Sequence, residues 1–190
     1  MEDADIHDLK HQVINFEKAR NNLLAVLVLT VINLILTFFS ADIYFLFSAI
    51  FPQIIFEIFN NIYIETGDNN SYITGCVASI LLTIPYFVFW IFSRTKRVMI
   101  LFTLVFFGID CIILLLLILL SGFEFSFLLN VGFHVWILYY LIIGVKAWSK
   151  LSDVDKEGYN LLLNEVKSNR VFIKKEKNNE PPIDNEENEQ

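Results

Sequence analysis

The chain has 190 residues, 55% of them hydrophobic, and a formal net charge of −7. So apolar a composition exceeds what a soluble domain of this length can bury, which excludes an ordinary soluble globular protein. Much of the negative charge sits in Glu180, Asp184, Glu186, Glu187 and Glu189, which have no basic neighbour, and a nucleic-acid partner has no support.

No Lys or Arg occurs between Arg20 and Arg94, or between Arg97 and Lys146. The 14 basic residues fall in three clusters: Lys10 to Arg20, Arg94 to Arg97, and Lys146 onward. Long apolar runs fill the gaps, which is the pattern of a multi-pass membrane protein.

In chain order, residues 2–20 read as an amphipathic helix with Ile6, Leu9, Val13 and Phe16 at three-four spacing. It has three possible fates: lying on the inner leaflet, packing on a partner, or leading into the first span. Asp3, His7 and His11 recur one turn apart, but no further ligand is evident and we read a solvated face, with no bound metal or cofactor. Asn22–Ser40 is the first span. It reads as a retained helix and not a cleaved signal, since a 21-residue polar segment precedes it and Phe38 and Phe39 crowd the cleavage positions.

Ile43–Ile64 is apolar enough to be weighed as a further span. Pro52 divides it into pieces too short to cross, and Gln53, Glu57 and Asn60/Asn61 recur at helical spacing. If it spanned, the second and third basic clusters would lie opposite the first; if it does not, all three share one side. We therefore read residues 41–71 as an outer cap whose amphipathic helix lies in the interface or dips into it. Tyr72–Phe92, Val98–Leu120 and Ser126–Val145 complete four spans, each long enough at about 1.5 Å per residue for roughly 30 Å of hydrocarbon.

Residues 153–172 suggest a short amphipathic helix, and beyond Lys177 the Asn/Glu-rich tail with Pro181 and Pro182 reads as disordered. The expected fold is an all-α four-helix transmembrane bundle with an outer amphipathic or re-entrant helix and both termini cytoplasmic. Cys76 and Cys111 both fall inside spans, which argues against a disulfide framework.

Polar residues line one face of each span. They are Thr30, Asn33, Thr37 and Ser40; Tyr72, Cys76, Ser79, Thr83 and Tyr86; Thr103 and Asp110, with Cys111 beside them; and Ser126, Asn130 and His134. Counting from the outer ends puts Asp110 about 15 Å deep and His134 about 12 Å deep, near Asn33 and Thr83. The expectation is an outward-facing polar pocket of Asp110, His134, Asn33, Thr83 and Asn130, with Asp110 and His134 at its floor. A carboxylate at that depth is costly and marks a pathway, a relay, or a hydrogen bond that holds helices together.

The chain has no P-loop, no G-x-S-x-G, no H-E-x-x-H and no C-x-x-C, so an enzyme is the least favoured class. The run Phe107–Asp110, read with His134–Leu151 (HVWILYYLIIGVKAWSKL), resembles small four-span bacterial membrane proteins of unassigned function. The resemblance implies a bacterial inner or plasma membrane and no particular activity. The residues themselves suggest an accessory component in the lipid bilayer that binds a membrane-protein partner or its own copies. The alternative is a small proton-linked transporter or channel that uses Asp110 and His134 as a relay.

Overall fold

The computed structural model describes residues 3–39, 48–121 and 125–179. Among the described residues six helices follow one another and there is no strand: α1 (Asp3–Phe38), α2 (Ile50–Thr66), α3 (Asn69–Phe92), α4 (Met99–Ser121), α5 (Phe125–Lys150) and α6 (Lys156–Asn179). The protein is an all-α helical membrane bundle. α1, α3, α4 and α5 are each long and apolar enough to cross a membrane, and α2 is not.

α1 runs unbroken for 36 residues, about 54 Å, so the amphipathic segment that opens the chain leads straight into the first span. The later part of its apolar stripe is covered by the chain itself. Val13, Phe16 and Ala19 are fully buried in one core with Leu141, Ala147, Leu151, Tyr159 and Leu163 of α5, the turn after it, and α6. The Phe16 and Tyr159 rings meet edge to face at 6.1 Å.

Three contacts bring the basic clusters to one end of the bundle. Arg20 Nε donates to Ser93 Oγ at 2.9 Å, Arg97 Nη1 donates to the Leu151 carbonyl at 2.6 Å, and Lys150 Nζ donates to Asp8 Oδ2 at 3.2 Å. The spans therefore alternate in direction, and α2 adds no crossing. Arg97 also donates to the Val154 carbonyl, and its guanidinium lies 5.3 Å from the Tyr159 ring centre. Both carbonyls belong to the turn that follows α5, so Arg97 ties that turn to the loop between α3 and α4. Tyr159 donates to Glu17 Oε1 at 2.7 Å. Burial first, and then the charge of Glu17, pushes the Tyr159 hydroxyl far above its ordinary range, so it remains a donor at any physiological pH.

Close packing explains two glycines. A Cβ on Gly144 would lie 2.5 Å from Ala19 Cβ, so α5 approaches α1 there as only glycine allows. A Cβ on Gly75 would lie 2.8 Å from Phe59 Cβ, where α3 receives α2. Gly67, at φ 70°, makes the left-handed turn between those two helices and closes α2 by donating to the Tyr63 carbonyl. Pro85 sits inside α3 without ending it.

The C-terminal helix extends past the sequence expectation, to Asn179, and the tail beyond it lies outside the described residues. The expected outer-cap residues 41–47 lie outside them as well.

Candidate functional site

The site is the point where α2 begins. Asn33 Nδ2 donates to Ser48 Oγ at 2.6 Å, and the Ala49 N–H donates to Thr30 Oγ1 at 2.8 Å. Thr30 lies more than two turns back from the end of α1, so Ser48 and Ala49 lie well inside the bundle. α2 then climbs beside α3 toward the end opposite the basic clusters. The amphipathic helix does not lie flat in the interface: its N-terminus starts deep, beside the middle of α4, and it is re-entrant.

A helix N-terminus inside a membrane bundle has N–H groups that water cannot reach. Here all of them are met. Ala49 N–H has Thr30, Ile50 N–H donates to Asp110 Oδ2 at 3.1 Å, and Phe51 N–H donates to Asp110 Oδ1 at 2.7 Å. Pro52 follows and has no N–H to satisfy. A carboxylate there also meets the positive end of the helix dipole.

Asp110 lies midway along α4, about 16 Å from either helix end. Its Oδ2 lies 3.0 Å from His134 Nε2, so the two residues singled out from the sequence are in direct contact. The imidazole stacks on Phe107 with ring centres 5.2 Å apart, and its Nδ1 lies 2.8 Å from the Asn130 carbonyl. A carbonyl only accepts, so Nδ1 carries hydrogen. The contact between Nε2 and Oδ2 then requires one more proton, held by one or the other, and the pair is neutral overall either way.

The expected outward-facing pocket is corrected in one respect. Asp110 is 1% exposed and His134 2%, and the start of α2 covers the carboxylate where an opening was expected. A low-lying carboxylate attracts the N–H groups of a re-entrant helix as readily as water. Of the other expected site residues, Asn33 holds Ser48 and the backbone of Asn130 orients His134. Thr83 bonds the Ser79 carbonyl of its own helix and serves α3 locally.

Three residues at the site have no assigned role in the sequence. Ser48 and Ala49 sit in an apolar run, although a serine shortly before a proline in the first turn is a helix-start signal. Tyr86 belongs to a polar stripe that says nothing of its task. Its hydroxyl is buried without a hydrogen-bond partner among the described residues, within electrostatic reach of the Asp110 carboxyl. Comparison with protein-family models, curated proteins and solved structures gives no match.

The carboxyl takes two backbone N–H bonds and one contact with imidazole, so a single side chain of α4 holds both the start of α2 and the middle of α5.

Proposed function

We propose that this is a non-enzymatic membrane protein in which Asp110 and His134 form an intramembrane proton-binding site, and that it works as a small proton-linked transporter or channel. The carrying observation is the buried pair bonded to the N-terminus of a re-entrant helix at mid-depth. Ionisable residues at that depth are costly and serve pathways and relays, and interrupted helices ending near the midplane line the sites of many transporters. The Tyr86 hydroxyl, without a hydrogen-bond partner among the described residues and within electrostatic reach of Asp110, adds a further buried polar group. The test is proton flux into liposomes carrying the purified protein, with Asp110→Asn as the comparison.

A second reading, an accessory protein that binds a partner, has one observation in its favour. At the charged end Asp5, Asp153, Asp155 and the paired Asp8 and Lys150 line a groove of about 720 Å3 together with Ile6, Leu9 and Leu162, a net acidic and partly apolar lining that suits a basic amphipathic segment. Absence of flux in a well-folded preparation favours this reading.

The charge distribution supports a cell-membrane location with the charged end, and so both termini, in the cytoplasm. In this orientation exposed Asn61, late in α2, faces outward. A cysteine placed there is expected to react with an impermeant maleimide added to intact cells. Labelling only after the membrane is opened reverses the orientation.

A further inference from the structure

α1 and α5 leave a cleft of about 470 Å3 between them at the charged end of the bundle. Its lining is graded along the bundle axis. Tyr139 and Tyr140 lie on the side toward the apolar middle of α5, Ile143 follows, and Lys146 and Lys150 stand one turn apart nearer the helix end. Lys18 and Asn15 face them from α1. Lys150 is paired with Asp8, while Lys18 and Lys146 meet no carboxylate among the described residues. Both are exposed, so nothing in the fold requires their charge.

We infer that this cleft binds the phosphate of an anionic phospholipid from the leaflet at the charged end. Two unpaired ammonium groups on facing helices bracket a single anionic group between them. The order of the lining, aromatic and apolar below and cationic above, follows the order of groups in a phospholipid, with acyl and ester portions deeper than phosphate. Basic clefts between membrane helices at this level suit anionic headgroups, and tyrosines favour the interface beneath them. A free phosphate would use the lysines but gain nothing from Tyr139, Tyr140 and Ile143. The inference is independent of the proton-linked reading and of which side of the membrane the charged end faces.

The experiment is native mass spectrometry of the full chain with phosphatidylglycerol or with phosphatidylcholine of matched acyl chains. sn-Glycerol 3-phosphate is the soluble arm. The wild-type protein is expected to retain phosphatidylglycerol about tenfold better than phosphatidylcholine, and Lys18→Gln with Lys146→Gln to lose that preference. Lys96→Gln with Lys156→Gln removes equal charge outside the cleft and is expected to keep it. Equal retention of the two lipids, or an equal loss in both double variants, overturns the proposal. Binding of glycerol phosphate as tight as that of the lipid overturns the lipid assignment in favour of a free anion.

Discussion

Asp110→Ala is expected to lower the stability of the bundle by about 3–5 kcal/mol, the range for removing one partner of a buried pair. Alanine leaves the Ile50 and Phe51 N–H groups and His134 Nε2 facing a void where the carboxyl stood. Neither α3 nor the Thr30 bond to Ala49 replaces those acceptors, so the loss falls on the first turn of α2. Two readouts check it: the denaturation midpoint in detergent, and the accessibility of a cysteine at Phe51, which should rise in the Asp110→Ala background. A stable variant with Phe51 still protected contradicts the account of the α2 anchor.

Removing His134 has the second large effect, and its cause differs. His134→Leu leaves the carboxyl with its two backbone N–H groups and no partner to share a proton, and the expected loss is again about 3–5 kcal/mol. Asp110→Asn alone is expected to cost less, about 1–3 kcal/mol. An asparagine oxygen accepts the Phe51 N–H, its amide donates to Nε2, and only the Ile50 N–H loses its acceptor. With the charge gone, His134→Leu should cost far less in the Asp110→Asn background than in the wild type. A double-mutant cycle on unfolding measures this, with an expected coupling of about 1–3 kcal/mol. Additive losses mean that the two side chains act independently in spite of their 3.0 Å contact.

The membrane helices were legible because a span is recognised by length and apolarity, which do not depend on neighbours. The contact between Asp110 and His134 was half legible. Residue counting put both near one depth, but facing directions depend on packing. The course of residues 48–66 was the least legible part, because an apolar run broken by proline suits an interfacial helix and a re-entrant one alike. Its depth is set by bonds from Thr30, Asn33 and Asp110, on two other helices. The N-terminal stripe Val13–Phe16 shows a related limit: periodicity announces a buried face but not what covers it, and here α5 and α6 of the same chain do. Arg97 reads as an orientation signal in the sequence, while in the fold it also holds the turn after α5.

The most direct test of the proton-binding pair is the decay of an imposed pH gradient across liposomes containing the purified protein. The account predicts proton flux through the wild-type protein and its loss in Asp110→Asn, which should keep α2 seated and the bundle folded. Flux of equal size in both proteins, or none in a wild-type protein shown to be folded, contradicts it and leaves the pair as a structural anchor for α2.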